Sequence, residues 1–224
     1  MQPKDMTMKN NYALWTAAVS AALLTACAAP LPSSADLDKL TQDIIGRSFR
    51  AEGQAKLDRV SPDEDNLACA ESDRTGVALD AKVAQAIEAR NMKTIQAPAD
   101  GKYLGDFKEG EKIAQSGAGK TWTDKEGSVN GGNCYNCHQI SKEELSYGTL
   151  GPSLYNYGKL RGVSNPTSAD AKPIVEYTWG KLQNARAYNA CSSMPRFAHK
   201  GILSETQIKH LMALLLDPAS PVNK

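Results

Sequence analysis

The stretch Gly-Gly-Asn-Cys-Tyr-Asn-Cys-His-Gln-Ile at residues 131–140 constrains this chain more than any other. It sets Cys134 and Cys137 two residues apart with His138 directly after, so three sulfur or nitrogen ligands leave one short turn of backbone. A zinc knuckle, a redox disulfide and a c-type haem attachment site all use such a turn. Zinc asks for about four ligands. Beyond the motif the chain offers Cys27, Cys69, Cys191, His199 and His210, with no second Cys-x-x-Cys. A thioredoxin-like site asks for the motif at the start of a helix in a strand-rich fold. Here glycines and Asn133 precede it, and strand patterns are scarce. The third chemistry bonds both sulfurs to porphyrin vinyl carbons and brings His138 to the iron from the same turn. The expectation is therefore one covalent haem c.

A six-coordinate haem needs a second axial ligand, and methionine is the usual one in electron carriers, where it raises the potential. Met212 lies on the apolar stripe of the last helical stretch and reads as core filler. Met194 lies in the loop Cys-Ser-Ser-Met-Pro-Arg-Phe, where Pro195 favours an extended backbone that holds the thioether outward. His199 and His210 compete as bis-histidine ligands, but His210 is expected on a solvent-facing helix flank and His199 on a lysine-bearing loop. Met194 is the favoured ligand. Pro152, in Gly-Thr-Leu-Gly-Pro-Ser-Leu, is the candidate carbonyl for the imidazole N–H; such a bond fixes the ring and raises its basicity. The same segment also reads as an ordinary Gly-Pro turn. Tyr147, Tyr155 and Tyr157 are candidates to line the haem or a partner surface, and Arg161 and Arg196 to neutralise its propionates.

The 224 residues suit one domain with an extension or two small ones. Removing the first 26 residues takes Lys4, Lys9 and Asp5 from 26 basic and 25 acidic residues, leaving 24 of each. A neutral chain with no basic run among aromatics gives no reason to expect nucleic acid as partner. Residues 12–30, Tyr-Ala-Leu-Trp-Thr-Ala-Ala onward, are uncharged but rich in Ala, Ser and Thr, and residues 1–27 read as an export signal. Leu24-Thr-Ala-Cys27 is similar to a bacterial lipobox, in which Cys27 is acylated. Ordinary cleavage at Ala26-Cys27-Ala28 and an uncleaved anchor are the alternatives. All three place the folded part outside the cytoplasm, in the periplasm, tethered if Cys27 carries lipid.

Along the mature chain, Leu37, Leu40, Ile44 and Ile45 recur at helical spacing, and the pattern predicts a helix over 35–60 ended by Ser61-Pro62. A second is expected over 80–90. Gly-Asp-Phe-Lys-Glu-Gly-Glu-Lys-Ile-Ala-Gln-Ser-Gly at 105–117 reads as a short helix with Phe107, Ile113 and Ala114 inward, and Gly110 there lets another helix approach. The last element, 204–216, has a capping box at Ser204 and Gln207, an apolar stripe of Ile208, Leu211, Met212 and Leu215, and a stop at Asp217-Pro218. Between these helices the chain reads as loop wrapped around something other than its own side chains. Of five cysteines, Cys69 and Cys191 remain once Cys27, Cys134 and Cys137 are assigned. In an oxidising compartment two leftovers suggest a disulfide; a free Cys191 thiol acting on substrate sulfur is the other reading. Gln-Ser-Gly-Ala-Gly-Lys-Thr is no phosphate loop, since Ala114 stands where the first glycine belongs and no strand precedes it.

With these residues assembled, the chain resembles the SoxX family, the monohaem cytochrome c subunit of the SoxAX complex of bacterial sulfur oxidation. The stretches that carry the likeness are SFRAEGQAKLDR, PADGKYLGDFKEGEKIAQSG, GGNCYNCHQI, GTLGPSLYNYGKLRG and ACSSMPRFAHKGILSETQIKHLMALLLDPASPVN, together most of the chain from about residue 48 to 223. Ala198 stands where the family pattern has glycine, and a lipobox is not expected of a soluble periplasmic subunit. The resemblance implies an all-α fold, a class I cytochrome c-like domain over 96–224 with a helical extension over 28–95. It implies that Cys134 and Cys137 attach haem, that His138 and Met194 ligate the iron, and that Cys69 and Cys191 match the paired cysteines of longer members. It further implies a SoxA partner whose cysteine-ligated haem joins thiosulfate oxidatively to a cysteine of the SoxYZ carrier. The chain itself would be a non-catalytic subunit of that L-cysteine S-thiosulfotransferase, passing electrons singly to a downstream cytochrome c. A free-standing electron shuttle is the alternative, and an open-site haem enzyme or gas binder stays open beside it.

Overall fold

The computed structural model describes residues 32–224; the export signal and Cys27 lie outside the described residues. Among the described residues the regular structure is helical, with no strand, so the all-α expectation holds. The chain divides into two units, Met1–Phe49 and Arg50–Lys224. In the first, helix α1 (Ser34–Ser48) starts at a reciprocal capping box between Ser33 and Asp36, which satisfies two otherwise orphaned N–H groups. Its Leu37, Leu40 and Ile44 are exposed. The helix was expected to run to residue 60 but stops at Ser48, where Phe49 turns extended. Beyond it Glu52 and Ala55 pair across a turn and residues Leu57–Val60 form a 3-10 turn. Tertiary contacts override the helical pattern there: Gln54 donates to the Ser128 carbonyl at 3.1 Å, and Arg50 lies 5.0 Å over the Trp122 ring.

The second unit opens with α2 (Glu64–Thr75), capped by Asp63 and closed by Gly76, and α3 (Ala81–Met92), capped by Asp80. Helix α2 had no apolar stripe to announce it, because the residues it buries are Asp65 and Cys69. Asp65 faces α3, where it accepts from Arg90 Nε and Asn91 Nδ2, each at 2.8 Å. The Asn91 side-chain oxygen Oδ1 in turn accepts from Asn184 Nδ2 at 2.8 Å. A buried carboxylate is tolerable because every oxygen has a donor. This extension therefore docks on the rest of the unit through polar groups.

The core lies between α4 (Phe107–Gln115), α6 (Lys172–Gln183) and α7 (Glu205–Leu216), with a short helix α5 (Tyr157–Leu160) at its side. Helix α6 falls in the stretch that sequence reading left as loop. It begins with Pro173 in its first turn and buries Val175, Trp179 and Leu182. Trp179 donates its indole N–H to the Gln96 carbonyl at 2.7 Å and meets Tyr103 edge-on at 5.3 Å. Helix α7 has the predicted capping box and stop, and its Ile208, Leu211, Met212 and Leu215 are all buried. Helices α4 and α7 make the most extensive contact among the described elements. Gly110 permits it: a β-carbon there would stand 2.2 Å from the His210 carbonyl oxygen and 3.0 Å from Leu214 Cβ. Gly110→Ala is expected to force the helices apart and to lower stability by about 1–3 kcal/mol, the range for overpacking a tight interface. Urea unfolding checks it.

Candidate functional site

After α4 the chain loops out over residues 116–130 and returns to the end of the helix, where it enters the Cys134–His138 turn. After Gln115, the Gly132 N–H donates to the Ile113 carbonyl at 2.8 Å and the Asn133 N–H to the Ser116 carbonyl at 3.0 Å. Asn133 takes the left-handed conformation, which asparagine tolerates. The backbone then closes a 3-10 turn over Cys134–Asn136, with the N–H groups of Cys137 and His138 both donating to the Cys134 carbonyl, at 3.1 and 2.9 Å. Tyr135 anchors the turn from inside. It is buried and donates its hydroxyl to Glu111 of α4 at 2.8 Å, and burial pushes its pKa up.

A second pass of chain lines up beside this turn. Gly148 N–H donates to the Tyr135 carbonyl at 2.7 Å, Gly151 to that of Cys137 at 2.8 Å, and Leu154 to that of Gln139 at 2.7 Å. The alignment brings His138 Nδ1 to 2.7 Å from the Pro152 carbonyl oxygen. A carbonyl oxygen only accepts, so the contact places the proton on Nδ1 and leaves the Nε2 lone pair for another partner. Gly151 lies under the ring; a β-carbon there would be 2.2 Å from His138 Cε1. Gly151→Ala is expected to turn the imidazole off Pro152 and to lower stability by about 1–3 kcal/mol. A shift of the His138 ring nitrogens in nuclear magnetic resonance, with urea unfolding, measures both.

Cys134 and Cys137 are free of each other, while Cys69 and Cys191 form a disulfide. Burial pushes the Cys134 thiol up to about 12, so it stays protonated at neutral pH. Among the described residues no group of three or more His, Cys, Asp or Glu is placed to hold a metal ion. The donor set is compatible with a haem: two cysteine sulfurs and one oriented imidazole on a single turn, with Cys134, Leu154 and Met194 all packed half-buried against one apolar core.

Met194 belongs to a different segment, a strap over residues 191–196. At its start Cys191 is bonded to Cys69 of α2, closing a sequence separation of 122, for which loop entropy alone gives about 4–5 kcal/mol. At its end Arg196 reaches Asp63, the cap of the same helix, and Asn66 at 3.4 Å. Arg186 adds a contact to Asp63 at 3.4 Å. The arginine side chains are only 10% and 11% exposed, so these pairs are shielded from water. Arg196 is thus engaged with Asp63, and Arg161, the other candidate for haem propionates, lies 3.8 Å over the Tyr157 ring. Tyr157 is buried with its hydroxyl 2.9 Å from Thr178 Oγ1, Tyr155 donates to the Lys224 carbonyl, and Tyr147 stays exposed. Met212 is fully buried. His210 does not face solvent as expected: it is half-buried, and its Nδ1 accepts from the Asp106 N–H at 2.8 Å, at the start of α4.

The chain is similar to a protein of Aquifex aeolicus (strain VF5) described as an uncharacterized lipoprotein, with 34% identity over 132 residues. The match covers 58% of this chain and 59% of that protein, so the chain spans less than two thirds of its relative. No protein-family model matches the chain.

Burial opposes ionisation of Asp63, but the Arg196 hydrogen bond, the Asn66 N–H and the Arg196 charge hold its pKa below the ordinary value. A depressed carboxylate pKa contributes stability above the unfolded-state value and loses it as pH falls through the folded one. Unfolding midpoints should therefore drop below about pH 5, the upper edge of carboxylate titration. In Asp63→Asn that drop should be shallower, from a lower plateau at neutral pH; urea titrations from neutral to acid pH compare the two.

Proposed function

We propose that this chain is a c-type cytochrome that carries electrons one at a time outside the cytoplasm. The observation that carries the reading is the Cys134–His138 turn with Nδ1 held by the Pro152 carbonyl and Nε2 left free. In this reading Cys134 and Cys137 would hold the haem covalently, and His138 Nε2 and the Met194 thioether would bind its iron. The haem would supply a one-electron iron couple. The chain's own residues do the positioning: Pro152 fixes the imidazole tautomer, Gly151 lets the ring lie flat on the backbone, and the apolar core against Leu154 and Met194 excludes water. Exclusion of water and a thioether ligand both favour the reduced, less charged state and raise the potential.

The specific assignment is the electron-transfer subunit of a SoxAX-type complex, in a class I cytochrome c-like fold. It rests on the block Cys-Ser-Ser-Met-Pro-Arg-Phe and the segment Tyr-Asn-Tyr-Gly-Lys-Leu-Arg-Gly. Oxidative coupling of thiosulfate to a SoxY cysteine releases two electrons, and a single haem takes one, so the chain would relay them from SoxA to a downstream cytochrome c in two steps. The relative described as a lipoprotein favours acylation at Cys27 and hence a lipid tether on the periplasmic side.

Purified holoprotein is expected to contain one haem that survives denaturation, and Cys134→Ser with Cys137→Ser none. Met194→Ala should lower the potential and let the ferrous protein bind carbon monoxide, which the native protein resists; an unchanged spectrum and potential removes Met194 as ligand. Affinity purification from the host grown on thiosulfate should recover a second haem-stained polypeptide at equal stoichiometry. A lone monohaem protein that only exchanges electrons would make the chain a free-standing shuttle.

A further inference from the structure

The strap that carries Met194 has little hold of its own. Among the described residues the hydrogen bonds of its main-chain N–H groups are local. Cys191 N–H donates to Asn189 Oδ1 at 3.2 Å, Ser192 N–H to the Asn189 carbonyl at 3.0 Å, and Met194 N–H to Ser192 Oγ at 3.3 Å. Pro195 has no N–H to give. No main-chain hydrogen bond joins residues 192–195 to α6, α7 or the Cys134–His138 turn. Besides the packing of Met194 and of Phe197 against the core, the strap is tied to the hairpin of α2 and α3. Ala190, just before it, donates to Glu88 of α3 at 3.2 Å, Cys191 is bonded to Cys69, and Arg196 is paired with Asp63. Along α2 the two tie points are six residues apart, about 9 Å of rise. Six residues of strap reach up to about 20 Å when extended. The strap's main chain is long enough to bow between its ties, so the ties act together with core packing on where its middle, Met194, stands.

We propose that Asp63 and the Cys69–Cys191 bond are positioning residues for the Met194 thioether. In this account the helical extension is the element that sets the second iron ligand and hence the potential. The inference rests on the haem reading above. It assigns a purpose to the extension that packing alone does not, because an arginine, a carboxylate and a disulfide converge on one six-residue segment with the thioether at its centre.

The test uses full-length holoprotein. Native protein, Asp63→Asn, Asp63→Glu, the disulfide-free Cys69→Ser with Cys191→Ser, and Trp179→Phe are compared. Trp179 serves as a control for plain destabilisation, since its indole N–H donates to the Gln96 carbonyl at 2.7 Å within the core. Each variant is measured for the sulfur-to-iron charge-transfer band of the ferric protein, the rate of carbon monoxide binding to the ferrous protein, the midpoint potential, and urea unfolding. Asp63→Asn and the disulfide-free variant should lose at least half of the band, bind carbon monoxide at least tenfold faster and fall in potential. Asp63→Glu should recover most of the band, and Trp179→Phe should lose stability with the band intact. If Asp63→Asn yields no folded holoprotein, the disulfide-free variant, which keeps the ion pair, decides alone. A band and binding rate unchanged in destabilised variants overturn the proposal and leave the ties as parts of the fold. If the native protein itself lacks the band and binds carbon monoxide as fast as Met194→Ala, methionine ligation fails first and this proposal with it.

Discussion

The site hangs on the crossing of α4 and α7. With Gly110 against the His210 carbonyl, the two backbones approach closer than any side chain would allow. The C-terminal end of α4 is then held rigidly enough for Ile113 and Ser116 to receive the chain that becomes the Cys134–His138 turn. At the other end of the crossing, α7 stops at Asp217 and the chain doubles back. Ser220 starts a final turn, Val222 accepts the Asn156 N–H at 2.8 Å, and Asn223 accepts that of Gly158 at 2.9 Å. Those bonds pin the far side of the loop that carries Pro152. One close helix contact thus places both partners of the His138–Pro152 bond, through hydrogen bonds that run outward from each of its ends.

The brace of α2 and α3 works on a different principle. Asp63, Asp65, Arg90, Arg186 and Arg196 form a cluster of charges in which each carboxylate has several donors. Such clusters add less net stability than their Coulomb attraction suggests, since both charges must leave water. Their gain is in uniqueness of geometry: a misplaced strap leaves a buried charge without a partner, and that is strongly unfavourable. An apolar patch could hold the strap equally tightly but in several registers. The disulfide narrows the choice further from the unfolded side, by removing chain entropy before the strap is placed.

Legibility in the sequence follows the range of the interactions. The cap at Ser204, the stripe of α7, the approach at Gly110 and the helix after Asp80 are all set by residues within a few positions of one another, and each was readable. Helix α2 was not, because what it buries is an aspartate and a cysteine whose partners lie elsewhere. Helix α6 was missed because Pro173, Gly180 and its aromatic residues are weak helix formers, and its stability comes from Trp179 and Leu182 in the core. At the site the same division holds. The Cys134–His138 turn and its Pro152 partner are 14 residues apart or less and carry a motif. The Asp63–Arg196 pair spans 133 residues and has no local signature, so a surface arginine and a helix cap were all the sequence offered. The disulfide was an intermediate case, reachable by counting cysteines but not by any pattern around them.

The two cysteine pairs also constrain each other. Under oxidising conditions thiols are drawn toward disulfide exchange, and each of the three ways to pair all four cysteines consumes Cys134 and Cys137. The folded chain instead bonds Cys69 to Cys191 alone and leaves the turn its two thiols. Cys69–Cys191 closes a large loop and depends on the folded brace to bring its ends together, so it forms late or by rearrangement. Cys134 and Cys137 are close from the first moments of folding and are the kinetically favoured pair. Exchange, however, needs a thiolate, and burial holds Cys134 protonated once the turn packs against α4. The folded turn therefore resists exchange at the step where the unfolded one invites it. On the haem reading, the chain is best served if its Cys-x-x-Cys pair is consumed by covalent attachment before the strap disulfide closes. Attachment of the cofactor and correct pairing of the remaining cysteines are then two sides of one folding requirement.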